Sequence, residues 1–273
     1  MGTREGQVGS VRVRRLHLLE LEDQKWFPAI VRDLATDYLQ FAQTATGMHR
    51  TMTPLIRDAL AAGNTTHIID LCSGGSGPLI AVIDNLRQSG LNATATLTDL
   101  FPNLAAFERA ASESNGAIDY ISTAVDARAV PRELTGLRTL FNGFHHFRPT
   151  DATAILKDAV LANEPIAIFE FSRRSLGTVI PILLMPLFVW FSTPFMRPMT
   201  WQRLLFTYPL PLVPFTCLWD GIVSQLRAYT IEELQDLGRA AGSMNWRAGA
   251  LPIARGAGRL TYLVGAPLKR SVA

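Results

Sequence analysis

Residues 66–78 read THIIDLCSGGSGP, and the interpretation of the chain starts from this stretch. Its apolar first half has the length of a short buried strand, its glycine-rich second half indicates a turn, and residues 78–89 have helical spacing. Glycines let a ligand approach the backbone closely, and the free amides of a helix N-terminus favour carboxylate or phosphate groups. The glycine spacing matches neither the dinucleotide-binding motif nor a phosphate-binding P-loop, which weakens dehydrogenase and nucleoside triphosphatase interpretations.

The same alternation of strand and helix recurs along the chain. It predicts strands at 93–97, 118–125, 137–141 and 165–171, helices at 104–112, 150–161 and 231–241, and a terminal hairpin at 246–250 and 259–264. Residues 16–60 have helical spacing and should form two or three helices before the sheet. This order predicts an α/β fold with a doubly wound, mostly parallel sheet.

The chain divides into four predicted segments. These are a helical lead-in or cap at 1–64, a ligand-binding core at 65–175, an apolar insertion at 176–228 and a helix with a hairpin at 229–273 that completes the core. With 273 residues, 48% hydrophobic and 18% charged, the composition is that of one large globular domain with an insertion.

Composition and charge exclude several classes of function. The basic residues behind the net charge of +3 are scattered, so nucleic acid is not an expected partner. The two cysteines, Cys72 and Cys217, do not suggest a disulfide framework, because Cys72 lies inside the glycine-rich loop. Residues 1–15 lack the apolar core of a signal peptide, and we expect a cytoplasmic protein.

Polar residues follow each of the next predicted strands. Asp99 ends the second strand, where a carboxylate can accept hydrogen bonds from both hydroxyls of a ribose. Asp126 follows the third strand, and its carboxylate can accept a hydrogen bond from the exocyclic amine of adenine. The fourth strand ends in Asn142, followed by the pair His145 and His146. Glycine turns or helix caps are the alternative explanations for the loop and the two aspartates.

These four strand ends, in this order, resemble the motifs of class I S-adenosylmethionine-dependent methyltransferases. In that family an acidic residue precedes alternating glycines; here Asp70 is the acid, Cys72 replaces the first glycine, Gly74 matches the second and Ser76 replaces the third. The resemblance implies that S-adenosylmethionine is the cofactor. It implies cofactor contacts from Asp70, Cys72, Ser73, Gly74, Gly75, Gly77, Asp99, Leu100, Asp126, Ala127 and Asn142.

Two interpretations of the histidine pair stay open. A histidine at the carboxyl edge of the sheet can act as a general base near neutral pH, so His145 and His146 are the candidate catalytic residues. Packing and loop hydrogen bonding are the alternative. We predict no metal site, because the sequence near the pair offers no third or fourth ligand at zinc-like spacing.

The segment between residues 176 and 219 is unusually apolar. It contains two charged residues, Arg197 and Arg203, and seven prolines. The prolines make a single straight membrane-spanning helix doubtful. Three uses remain open: a lid over a lipid-like or polyketide-like acceptor, a re-entrant or monotopic membrane anchor, and a dimer interface.

Further side chains are candidates for substrate contact. Asp220 and Arg227 lie on one helical face with Ser224, and an Asp–Arg pair that ties the insertion to the core is the alternative. Trp26 is a third candidate. Glu170, at the end of the fifth strand, is expected to have a structural partner in Arg173 or Arg174.

The residues and the resemblance together predict a methyltransferase that acts on a hydrophobic small-molecule or lipid-like acceptor. Methyl transfer from a sulfonium is an in-line displacement that needs mainly proximity and alignment, with a histidine base for acidic acceptors. The expected partner is the acceptor; a peripheral membrane contact and a second copy of the chain stay open as further partners. The alternative is a non-catalytic subunit that binds S-adenosylmethionine and assembles with a membrane complex.

Overall fold

The computed structural model describes residues 14–174, 176–255 and 258–268, apart from the side chain of Leu176. The strands are β1 (His67–Asp70), β2 (Thr94–Leu97), β3 (Ile118–Tyr120), β4 (Leu137–Phe141), β5 (Ile166–Glu170), β6 (Asn245–Pro252) and β7 (Arg259–Ala266). The helices are α1 (Ala29–Ala45), α2 (Met48–Ala62), α3 (Leu79–Gln88), α4 (Leu104–Glu113), α5 (Pro149–Ala162), α6 (Val179–Leu183), α7 (Met185–Ser192), α8 (Trp201–Thr207), α9 (Leu212–Arg227) and α10 (Ile231–Ala241).

The seven strands form one sheet in the order β3-β2-β1-β4-β5-β7-β6. The first five are parallel, and β7 runs antiparallel to both β5 and β6. The predicted α/β class, the predominantly parallel sheet and the terminal hairpin are therefore confirmed. The strand order reverses between β1 and β4, and in such sheets ligands bind in the crevice at that switch point.

Two buried clusters hold helices on both faces of the sheet. Ile56 of α2, Val82 of α3 and Phe107 of α4 lie in the cluster on one face. Ile155 of α5 and Leu234 of α10 lie in the cluster on the other. The loops at the carboxyl ends of β1 and β4 are thus supported from both sides by rigid elements.

The prediction of helices from residue 16 onwards is wrong for the first part of that stretch. Residues 14–28, which we call the strap, contain no helix, and α1 begins only at Ala29. Pro28 disfavours helical geometry in the residue before it. Backbone groups of the strap bond instead to α9, for example the amide of Leu16 to the carbonyl of Leu226 at 3.0 Å.

The insertion after β5 is helical, as expected, and packs on α1. Val31 and Tyr38 of α1 lie in one buried cluster with Val189 of α7 and Val213 of α9. The hydrophobic side chains that remain exposed between Val179 and Trp219 define the apolar surface; Ile180, Phe191, Phe195 and Trp201 among them are 68–74% exposed. Within the described residues, every helix is too short or too polar to cross a bilayer. The division into four segments stays a prediction.

Candidate functional site

The loop after β1 has an alternating backbone conformation. Cys72, Gly74 and Ser76 have φ values of 55°, 51° and 72°, so every second residue from 72 to 76 is left-handed, and Gly77 follows directly with φ of 46°. For a residue other than glycine, this left-handed conformation costs roughly 1–2 kcal/mol relative to the right-handed one. A backbone conformation that glycine adopts most easily is therefore present at two positions occupied by cysteine and serine.

Asp70 supports this loop from behind. Its side chain is buried, and Oδ1 accepts a hydrogen bond from the hydroxyl of Thr139 at 2.6 Å. Its carbonyl oxygen accepts the hydroxyls of Ser73 and Thr98. Burial raises the pKa of Asp70 to about 7, although the hydrogen bonds from Thr139 and Ser73 lower it. The residue thus ties the ends of β1, β2 and β4 together.

Asp99 joins the first loop to the second. One carboxylate oxygen accepts the amide of Gly74 at 3.0 Å, and the other accepts the amide of Phe101 at 2.9 Å. The side chain is partly exposed, and Leu100 beside it is 41% exposed. A ligand near Gly74 would therefore meet a fixed carboxylate.

Asp126 already has a strong partner. Arg128 donates to it through Nε at 3.0 Å and NH2 at 2.8 Å, and also binds Asp151. These hydrogen bonds hold the pKa of Asp126 below its usual value. Ala127 beside it is buried. An adenine amine would share Asp126 with Arg128.

The predicted cofactor residues converge on the same edge of the sheet. Burial and then the charges of Asp99, Asp70 and Asp126 raise the pKa of the Cys72 thiol. A Cβ atom placed on Gly143 would lie 3.6 Å from Cys72, so the end of β4 touches the first loop. The contact of these residues with a cofactor stays a prediction.

Asn142 stands at the end of β4 with φ of 52°. Its amide donates to the carbonyl of Phe169 at 2.7 Å. Its Oδ1 is buried and lacks a hydrogen-bond partner among the described residues. An unpaired oxygen at this position is suited to accept a hydrogen bond from a ligand.

An open cavity of about 500 Å³ lies on the α1 side of the first loop. Gly75 and Ser76 line it together with Asp37 of α1, Asn103 before α4 and Arg203 of α8. Arg203 is buried and pairs with Asp37 at 2.7 Å. The first loop therefore borders an open cavity on the side that faces α1.

His145 lies in a short helical turn directly after β4 and is fully buried. Its Nδ1 is 2.6 Å from Oε2 of Glu170, whose other oxygen accepts the amides of Phe144 and His145. Nε2 is buried with no hydrogen-bond partner among the described residues, 3.8 Å from Oε1 of Glu20. The expectation that Arg173 or Arg174 would be the partner of Glu170 is wrong, because His145 and two amides occupy both carboxylate oxygens.

His146 has a different environment from its neighbour. Its side chain is about one third exposed, and Nδ1 lies 3.2 Å from Glu20 and 3.1 Å from Asp23. Burial lowers the pKa of His146, but the hydrogen bond to Asp23 and the charges of Glu20 and Asp23 outweigh it and raise the pKa to about 9. Asp23 and Glu20 therefore favour the protonated form of His146.

Asp220 and Arg227 of α9 both bind the strap. Asp220 accepts the amides of Leu21 at 2.7 Å and Glu22 at 3.0 Å. Arg227 donates to the carbonyl of Leu18 and to Asp23, each at 2.8 Å. The alternative of an Asp220–Arg227 pair is therefore wrong, since each is engaged by the strap.

The three predicted substrate residues lie in unequal surroundings. Arg227 reaches the histidine pair, with NH1 3.3 Å from Nδ1 of His146. Asp220 is buried behind the strap. Trp26 is 69% exposed and meets the ring of Phe27 edge-on. Their contact with a substrate stays a prediction.

Sequence reasoning missed the partners of the histidines. Glu170 was noticed as a carboxylate at a strand end, but its register with His145 depends on the pairing of β4 with β5. Glu20 and Asp23 stand in a segment with helical spacing, which carried no signal of contact with the histidines. Ser224 donates to Glu20 at 3.0 Å and holds it there.

Comparisons with known proteins identify the fold. No family model and no curated protein matches the sequence. A proposed O-methyltransferase from Nostoc punctiforme superposes with a TM-score of 0.52 at 16% identity, over 88% of this chain and 61% of that protein. The S-adenosylmethionine-dependent methyltransferase SibL superposes with a TM-score of 0.50 at 13% identity, over 81% of this chain and 55% of SibL. This chain spans less than two thirds of either protein, and it shares their fold.

Proposed function

We propose that this chain, which has the fold of S-adenosylmethionine-dependent methyltransferases, is itself such an enzyme and acts on a hydrophobic small-molecule or lipid-like acceptor. The observation that carries the proposal is the alternating left-handed loop at Cys72, Gly74 and Ser76, bonded to Asp99. A strained conformation at two residues other than glycine persists when the surrounding structure requires it, as at ligand-binding loops. The reaction breaks the bond from sulfur to methyl and forms one from methyl to the acceptor, with S-adenosylhomocysteine as the leaving group.

Replacement of Asp99 by alanine tests the cofactor site. We expect Asp99→Ala to weaken binding of S-adenosylhomocysteine by about 1.5–3 kcal/mol, the range for hydrogen bonds to a charged group. Titration calorimetry measures the change, and Asp84→Ala, at an exposed position on α3, is the matched control. Equal affinities of the Asp99 variant and the unaltered protein would remove Asp99 from the site.

His145 is the better candidate for a general base. Glu170 holds Nδ1 and thereby fixes the ring orientation, while the lone pair of Nε2 is unused in the described residues. A carboxylate that orients the imidazole of a base is a recurring arrangement in catalysis. The proton of a hydroxyl acceptor would pass to Nε2 as the methyl group arrives.

The apolar surface supports a hydrophobic acceptor that the enzyme takes up from a lipid surface. Between residues 177 and 219, Arg197 is the one exposed charged side chain among the described residues. Trp190, Trp201 and Trp219 are exposed there, and such rings favour the boundary between lipid headgroups and hydrocarbon. A second copy of the chain is the other occupant to test, because homodimer interfaces are also more apolar than ordinary protein surface.

Binding to vesicles tests this role. We expect flotation with vesicles of phosphatidylcholine and phosphatidylglycerol, and at least a tenfold loss in the double variant Phe191→Glu, Trp201→Glu, because each ring contributes roughly 1.5–3 kcal/mol when buried. Leu161→Glu is the control, since Leu161 is 67% exposed on α5, outside the apolar surface. The lipid contact would be overturned if the protein did not float with vesicles and instead formed a stable dimer that the double variant did not form.

A further inference from the structure

One buried lone pair near the strap is unused. Nε2 of His145 is fully buried with no hydrogen-bond partner among the described residues, while Nδ1 is bound by Glu170 at 2.6 Å. Leaving a buried polar group unpaired destabilises the folded protein. An imidazole fixed by a carboxylate on one nitrogen and open on the other is the way proteins present histidine to a metal ion.

Possible ligand atoms of Glu20 and His146 lie near Nε2 of His145. Oε1 of Glu20 lies 3.8 Å from Nε2 of His145, and Oε2 lies 3.2 Å from Nδ1 of His146. One donor atom from each of the three residues lies within 4.8 Å of the others. Bonds from zinc to nitrogen or oxygen are roughly 2.0–2.2 Å, so two donors of one tetrahedral ion lie about 3.3–3.6 Å apart. The distances from the two oxygens of Glu20 to the histidines, 3.8 Å and 3.2 Å, lie within a few tenths of an ångström of this range.

We propose that Glu20, His145 and His146 bind one divalent cation of the zinc class. Two imidazoles and one carboxylate suit such ions better than magnesium or calcium, which prefer oxygen donors throughout. The inference rests on the proposed function in one respect. A bound ion takes the Nε2 lone pair assigned to the acceptor proton and clamps the strap, so the ion-bound form is the inhibited one.

The charges around the site are mixed. Arg227 opposes a cation, because its NH1 lies 3.3 Å from Oε1 of Glu20 and 3.3 Å from Nδ1 of His146; the same NH1 is also bound to Asp23 at 2.8 Å. Oδ1 of Asp23 is 3.1 Å from Nδ1 of His146 and adds a further negative charge. Binding of an ion therefore requires NH1 of Arg227 to move away from these two donor atoms while the guanidinium stays bound to Asp23. The sequence suggested no metal site because the third ligand comes from the distant strap.

Metal titration of the full chain tests the site directly. After treatment with a chelator, we expect one Co²⁺ per chain, seen by its ligand-field absorption, and one Zn²⁺ by calorimetry. Glu20→Gln and His146→Gln should each lower the affinity at least tenfold, and Glu170→Gln should lower it by about 10–100-fold through the orientation of His145. His49→Gln, at a histidine in α2, should change nothing.

The outcomes separate this inference from the proposed function. Thermal unfolding shows whether Glu20→Gln is folded. If it is not, His146→Gln still tests the site, because His146 is partly exposed and its replacement should disturb the fold less. Absence of stoichiometric binding, or equal affinity in His146→Gln and the unaltered protein, would overturn the site whether or not methyl transfer occurs. Binding in a protein that methylates no acceptor would support the site and count against the proposed function. With an active enzyme, we expect Zn²⁺ to inhibit and a chelator to restore turnover; binding without inhibition would overturn the clamp.

Discussion

Replacement of His145 by alanine is expected to reduce methyl transfer to a hydroxyl acceptor by about 10²–10⁴-fold, the usual contribution of a general base. The reason is geometric. Glu170 fixes the ring through Nδ1, and Nε2 is the one ring nitrogen free to take a proton. An amine that is already neutral needs only alignment, so its methylation should fall much less.

The measurement is transfer of labelled methyl from S-adenosylmethionine into acceptors extracted from membranes, in the presence of a chelator. Calorimetry with S-adenosylhomocysteine should show unchanged affinity for the variant, which separates a chemical effect from a loss of cofactor. His49→Ala is the control for a histidine outside the site. A His145 variant that methylates hydroxyl groups at the normal rate would return the residue to a structural role.

Replacement of Asp70 by asparagine is expected to change how stability depends on pH. Burial raises the pKa of Asp70 to about 7, from the ordinary aspartate value of 3.8 that applies to the unfolded chain. Below the unfolded value both states hold the proton, and the fold loses no stability through this group. Between the two values the unfolded state releases its proton first, so stability falls as pH rises and the loss is complete above about 7.

The size of this effect follows from the shift. Roughly three pKa units correspond to about 4 kcal/mol, an upper value for the cost of ionising the buried carboxyl. Asp70→Asn keeps an oxygen for the hydroxyl of Thr139 and cannot ionise, so the variant should be the more stable protein at about pH 8 and lose this advantage at about pH 4. Urea unfolding across this range measures it, with Asp84→Asn as the exposed control. Parallel profiles for the Asp70 variant and the unaltered protein would contradict the prediction.

The local sequence pattern was sufficient to predict most strands of the sheet. Ile68 and Ile69 belong to an apolar run too short for a helix and are buried in β1 as predicted. The loop from Cys72 to Gly77 could be recognised because turn chemistry depends on neighbouring residues. The same holds for α10, where Thr230 and Glu233 form a capping box three residues apart.

Local pattern failed at the strap. Its apolar spacing resembles that of a helix, but the backbone bonds to Asp220 and Arg227 far along the chain. Those contacts satisfy some of its amides and carbonyls, and an irregular path with turns at 21–27 competes successfully with a helix that Pro28 would disfavour. The insertion was predicted as apolar and helical, yet its exposure could be seen only once the helices were assembled.

The sequence by itself determined the alternation of strands and helices, the position of the glycine-rich loop and the presence of a histidine pair at a strand end, because each depends on residues close together in the chain. Only the tertiary structure decided what the histidines do. Glu170 reaches His145 through the pairing of β4 with β5, and Glu20 reaches both histidines because α9 holds the strap over them. Charge and hydrogen bonding act over a few ångströms of space, and sequence separation carries no information about that distance.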